Sequence, residues 1–314
     1  MGTYFFSATE SANKQITELY DFVWPTATAM WNLRWQVAGY DQIVPDATVA
    51  QLQARFSEGA DIHGANLRRA CIEHTWDMQK ESFAQIVLTN TIAIYEGWID
   101  EVLDGLGKNT RDLRTWLQFP DETAKNTGAS FAIADITSTE SAPLKSNFYA
   151  SLCAGDYYDK VNLNSMLLCY RFFKEMRNCQ MHGGGVVDQR VVAAYNNFLP
   201  VANTATLGVK EVPKHATAVL DGPVNLDLRG AVGFSHVVLK IMATLDAELS
   251  RSEHAEKAFC KRWKQIHRGR ITMPADPERR KRRVKLLTHK AGFPKPSKPE
   301  DFGTWLKTAK LTYD

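Results

Sequence analysis

The chain has 314 residues, 44% of them hydrophobic, 38 Lys and Arg against 35 Asp and Glu, and a formal net charge of +3. That length and apolar content support a substantial core in one large domain or two small ones. No run of eighteen apolar residues occurs, so no membrane span is expected. The opening Met1-Gly-Thr-Tyr-Phe-Phe-Ser lacks a basic region and an apolar core, so no secretion signal is expected either. Five scattered cysteines, Cys71, Cys153, Cys169, Cys179 and Cys260, contain no Cys-x-x-Cys pair and point to reduced thiols and a cytoplasmic setting. The charge is unevenly spread: residues 251–314 hold 18 basic against 7 acidic residues, a balance of +11, leaving 20 against 28, or −8, for residues 1–250.

In chain order, Ser11 to about Ala38 carries Ile16, Leu19, Tyr20, Val23, Trp24, Ala27, Met30, Trp31 and Trp35 at helical spacing. The tryptophans are expected in the core rather than as base-stacking groups, and Pro25 is expected to bend or interrupt the helix. Asp46 is a plausible N-cap for a short helix, Ala47 to Phe56. Asp61 to Leu106 reads as the longest helical tract, stopped by Gly105 and Gly107. Glu96 lies in its C-terminal half, where a lone carboxylate belongs on the solvated face unless a cation faces it. A short helix, Arg111 to Leu117, precedes a long connection from Asp121 to about Asp159 in which periodicity fades, either a substrate-binding loop or an insertion without a role.

The next helix carries the apolar stripe Leu163, Met166, Leu167, Tyr170, Phe173 and Met176, and ends in Arg177-Asn178-Cys179-Gln180-Met181-His182-Gly183-Gly184-Gly185. On an unbroken helix, residues 177 and 182 lie about 140° apart. Convergence of the two side chains therefore requires the last turn to unwind, which the glycines favour. The spacing alone is weak, because Arg69 to His74 and Arg262 to His267 repeat it; only the central copy has Asn after the arginine and glycines after the histidine. Asp188 then caps a helix from Gln189 to Leu199. Ala218 to Leu220 and Val224 to Leu228, parted by Asp221-Gly-Pro, suggest one strand pair, and Gly230 to Leu249 a further helix.

Beyond a basic helix, about Ser252 to His267, come Arg268 and Arg270, then Arg279, Arg280, Lys281, Arg282 and Arg283. Clustered cations of this kind attract a phosphate backbone, or serve only as solvated charge or as a dock for acidic surface. Trp263 is a candidate for stacking on a base. His63, His74, His182 and His215 have no close ligand companions in sequence, and no phosphate-binding or dinucleotide glycine loop occurs, so no cofactor is expected.

The Arg-Asn-x-x-x-His-Gly phrase closing an amphipathic helix resembles the signature of the HEPN-domain ribonucleases, all-α proteins common in bacterial toxin–antitoxin and abortive-infection systems. Ile92-Ala-Ile-Tyr-Glu96-Gly-Trp-Ile-Asp100 is similar to the earlier HEPN helix in which a Glu follows an aromatic residue. Gly222-Pro-Val-Asn-Leu-Asp-Leu228 is similar to that domain's short turn before its last helix. The resemblance covers roughly residues 62–250. It implies an all-α, HEPN-like helical bundle with a small β-hairpin at 61–250, between an N-terminal helical extension at 1–60 and a basic C-terminal extension at 251–314. It also implies metal-independent cleavage of RNA, transfer RNA among the candidates, by Arg177, His182, Asn178 and Glu96. The site would be shared between two protomers, with an antitoxin or phage trigger as a further partner. The alternative reading is an inactive HEPN-like scaffold, or a nucleic-acid-binding regulator acting through the basic tail.

Overall fold

The computed structural model describes residues 4–59, 61 and 64–314; Ile62 and His63, within the expected Asp61–Leu106 tract, lie outside them, as do residues 1–3. The chain is mostly helical, and four long helices form its centre: α1 (Ser7–Ile43), α3 (Trp76–Leu106), α8 (Leu163–His182) and α11 (Leu228–Leu249), with α2 (Val49–Phe56) between the first two. The helix α11 lies against α1, α3 and α8 and is buried around most of its circumference. Its length and apolar composition alone match a membrane span. Yet Lys240, Asp246 and Glu248 are buried within it, each held by polar partners from other elements.

One buried apolar cluster runs from Phe5 to Leu311, across the segment boundaries expected at 60 and 250. A second, small cluster of Val37, Ala47, Leu52, Leu67 and Cys71 joins the far end of α1 to α2 and a π turn at Arg69–Glu73. α1 continues through Pro25 without interruption. Its tryptophans are not core: Trp24, Trp31 and Trp35 are 44%, 38% and 65% exposed. The core side of α1 is instead made by Ala8, Ala12, Ile16, Val23, Ala27 and Val37; the indoles lie off that arc, where Trp31 meets Trp76 of α3 at 5.1 Å and Trp35 at 5.6 Å between ring centroids.

The stretch expected as a long connection is folded. After α4 (Arg111–Trp116) come α5 (Ala129–Ile136), α6 (Ala142–Leu144), a π turn and α7 (Ala150–Cys153), and Ala132, Ile136, Leu144 and Phe148 are buried. Buried Glu248 draws this region in, accepting hydrogen bonds from the Tyr149 and Tyr158 hydroxyls and pairing with Lys160 and Arg251. After α8 follow α9 (Gln189–Phe198), capped by Asp188 as expected, and α10 (Thr204–Leu207).

The expected hairpin at 218–228 does not form. The Asp221–Val224 turn pairs instead with the glycine exit of α8, through Val187 N to Gly222 O, Asp221 N to Val187 O and Val224 N to Gly185 O at 2.8–3.0 Å. Gly184 and Gly185, both at positive φ, turn the chain to meet it. The two-stranded sheet is elsewhere and parallel, β1 (Ile271–Thr272) with β2 (Thr312–Tyr313). Around it α12 (Glu253–His267), α13 (Pro277–Lys290) and α14 (Pro299–Thr308) close the fold.

Candidate functional site

The site is built where α8 crosses α3. Buried Tyr95 of α3 meets Tyr170 of α8 edge-on at 4.9 Å and donates a hydrogen bond to the Leu117 carbonyl, fixing the end of α4 over the same crossing. The next residue along α3 is Glu96, which this locking sets beside the cations of α8. Glu96 pairs with Lys174 and lies 3.7 Å from the Arg177 guanidinium. Cations thus face Glu96, and a carboxylate on an otherwise solvated face gains two partners.

His182 is not brought to Arg177. α8 stays helical through His182, and the glycines act only after it: Gly183 N and Gly185 N both bond the Cys179 carbonyl. The expected unwinding does not occur, because the turn at 221–224 captures the chain beyond the helix end and leaves the last turn intact. His182 thus remains about 140° around and ~7.5 Å along the helix from Arg177. Its imidazole is exposed and has no side-chain partner among the described residues. The spacing i, i+4, i+7, i+11 sets it on the face of Arg171, Glu175 and Asn178. Asn178 does not orient it, since its amide donates to Glu175 at 3.2 Å, and buried Glu175 also pairs with Arg171.

Beside Glu96 opens a cleft of about 450 Å³ lined by Asp100, Arg111, Arg114, Gln118, Phe119 and Lys174. Lys174 is half-buried: burial pulls its ammonium below the ordinary lysine range, and Glu96 opposes that. Its second partner is Gln118. Arg114 is held by Asp100, at 2.5 and 2.7 Å. Arg171 stacks over the Phe119 ring at 3.9 Å. On the same helix the Tyr170 hydroxyl and the Arg177 Nε are buried with no hydrogen-bond partner among the described residues. Burial drives the Tyr170 phenol well above its usual range.

Sequence reasoning passed over Lys174, Arg111, Arg114, Gln118 and Phe119. The signal was there in part: Arg171, Lys174 and Arg177 recur every third residue, as do Arg111 and Arg114, and Glu96 and Asp100 are four apart on one helix face. Nothing in the spacing says that these three faces meet.

The basic segment divides in two. Arg270 donates to the Thr312 carbonyl, Arg280 to the Pro274 carbonyl and pairs with Asp314, and Lys281 is held by Glu278 and Glu300. Arg268, Arg279, Arg282 and Arg283 are exposed, with no side-chain partner among the described residues. Trp263 is fully buried against Phe259 and His267 and is not available for stacking on a base. Among the described residues no group of three metal-ligating side chains comes together.

Comparison with models of known protein families, with curated proteins and with solved structures gives no significant match.

Proposed function

We propose that the chain is a metal-independent endoribonuclease of the HEPN type, serving a bacterial toxin or anti-phage defence system. The observation that carries this reading is the pairing of Glu96 with Arg177 at the edge of an open basic cleft, with an unpartnered, exposed histidine ending the same helix. In the reaction, an imidazole takes the proton of a ribose 2′-hydroxyl, the 2′-oxygen attacks the adjacent phosphorus, and the 5′-oxygen leaves with a proton from a second imidazole. The products are a 2′,3′-cyclic phosphate and a 5′-hydroxyl. Arg177, oriented by Glu96, neutralises the charge that grows on the non-bridging oxygens.

One protomer offers its Arg177 and His182 in diverging directions, so the composite site joins two protomers. Met181 and Val186, which flank His182, are exposed apolar residues, as are Val219 and Leu220 in the segment that leads into the turn clamped against the α8 exit. Covering that surface with a second copy buries apolar area and sets two imidazoles at one phosphate. The competing reading, a binding module without catalysis, draws on the same divergence of Arg177 and His182 and on the unpaired cations of α13.

Purified protein incubated with total and transfer RNA in excess EDTA is expected to cut it and leave 5′-hydroxyl ends, while His182→Ala folds, dimerises and does not cut. Cleavage by both proteins alike, or by neither at concentrations where the chain is dimeric, rejects the nuclease.

A further inference from the structure

The cleft beside Arg177 has more positive charge than its own carboxylates balance. Arg111, Arg114 and Lys174 line it, and Arg177 shares Glu96 with Lys174; against these four cations stand only Glu96 and Asp100. Asp100 is committed to Arg114, and one carboxylate serves both Lys174 and Arg177. Arg111 is exposed and has no side-chain partner among the described residues. Two positive charges are left over in a concave space, in a form suited to a phosphate group. At the rim stands Phe119, 39% exposed and backed by the Arg171 guanidinium. An aromatic ring stiffened by a stacked cation, lining the same cleft as the unbalanced cations, matches the two halves of a nucleotide: a phosphate and a flat base. The desolvated Lys174 ammonium gains from any further anion, as its depressed titration range indicates.

We propose that this cleft is a nucleotide-binding subsite, in which Arg111 and Lys174 hold a phosphate and Phe119 stacks on the attached base. The inference rests on the reading of α8 as a nuclease helix for the source of the nucleotide, a residue of the RNA chain next to the cut. A free mononucleotide acting as an effector has the same chemistry.

Adenosine 5′-monophosphate, inorganic phosphate and adenosine are titrated into the full chain and followed by calorimetry and by quenching of tryptophan fluorescence. The nucleotide is expected to bind more tightly than phosphate, and adenosine to bind weakest. Arg111→Glu, at an exposed residue without partners, is expected to keep the wild-type melting temperature and weaken the nucleotide by ~10-fold or more. Phe119→Ala is expected to weaken the nucleotide and leave phosphate unchanged. A fully 2′-O-methylated oligoribonucleotide, which cannot be cleaved, separates the sources. If Arg111→Glu weakens it in parallel, the subsite belongs to the RNA track; if it fails to compete with the mononucleotide, the ligand is a free effector. Equal affinity of wild type and Arg111→Glu for the nucleotide, or equal affinity of the wild type for nucleotide and adenosine, overturns the proposal. Because these readouts involve no bond cleavage, a chain that binds nucleotide here but cuts no RNA retains the subsite while losing the nuclease reading.

Discussion

Asp246 shows how one residue can organise a terminus. Its carboxylate, fully buried in α11, accepts hydrogen bonds from the Phe5 and Phe6 amides at 2.7 and 2.9 Å and from the Thr9 hydroxyl at 2.6 Å, and Thr9 in turn accepts from the Trp98 indole. It thereby holds the N-cap amide of α1 from another helix, as the acidic partner of a capping box does from within the chain. With no cation beside it, burial outweighs those three bonds and pushes the carboxyl up to about 6. A folded-state value above the unfolded one of 3.8 means that the folded form takes up the proton first. The contribution of Asp246 to stability is therefore greatest below 3.8 and declines as the pH rises through about 6. Asp246→Asn keeps the shape but turns an amino group toward a backbone donor, at a cost of ~1–3 kcal/mol. In paired thermal melts the deficit of the variant is expected to widen as pH falls from 7 to 4.5, since the opposite trends of His236 and His267, both held below the ordinary histidine range by burial, cancel in the difference. A constant or shrinking deficit contradicts the assignment.

At the scale of elements, the wall of the cleft depends on the link between α4 and α5. Phe119 accepts the Ala129 amide, Asp121 N donates to the Asn164 side chain, and Asp121 itself accepts from Ser130 N. Gly128 makes this possible with φ +116°, its α-carbon so close that an added Cβ would lie 2.5 Å from Asp121 Cα and 2.6 Å from the Pro120 carbonyl oxygen. Neither neighbour is the movable end of a side chain. Gly128→Ala is expected to destabilise the fold by ~2–4 kcal/mol through strain and overpacking. It is also expected to displace Phe119, seen as weaker nucleotide binding even where the variant is still folded. A melting temperature within error of wild type refutes that account. Phe131 to Ile136 is an apolar piece within this region, but helices of three to eight residues offer too few turns for a 3.6-residue signal.

Across the whole molecule, the basic tail is half structure and half surface. Phe302 of α14 packs on Phe148 and Phe259, and Phe293 on Phe5, so residues 268–314 close the core that the N-terminus begins. Truncation after His267 is expected to unfold the chain, not merely to weaken a ligand. The informative variant is Arg282→Glu with Arg283→Glu, two exposed and unpaired cations on α13. Stability is expected to stay within ~0.5 kcal/mol of wild type. If this face tracks RNA, the slope of log affinity against log salt is expected to fall by about two. An unchanged slope assigns these charges to solvation alone.

What the sequence determined by itself is what local spacing encodes. The helices α8 and α11, α3 from Trp76 onward though not from the expected Asp61, the Asp188 cap, and the presence of an arginine and a histidine at the end of one helix all follow from periodicity, capping chemistry and glycine placement within a few turns. Only the tertiary structure decided the rest, because it depends on partners tens of residues or more away in sequence. Trp35 is exposed because it lies off the buried arc of α1, with the Trp31 ring beside it, whereas Trp263 is buried because α13 and α14 close over the core at its helix. The 221–224 turn met the backbone of Gly185 and Val187 at the α8 exit instead of its own neighbour, since an isolated two-stranded hairpin is only marginally stable in water. His182 kept its helical direction for the same reason. Glu96 gained its cations only when the Tyr95–Tyr170 contact fixed which faces of α3 and α8 oppose each other. Spacing along a chain sets the face on which a side chain lies, and packing alone sets what that face meets.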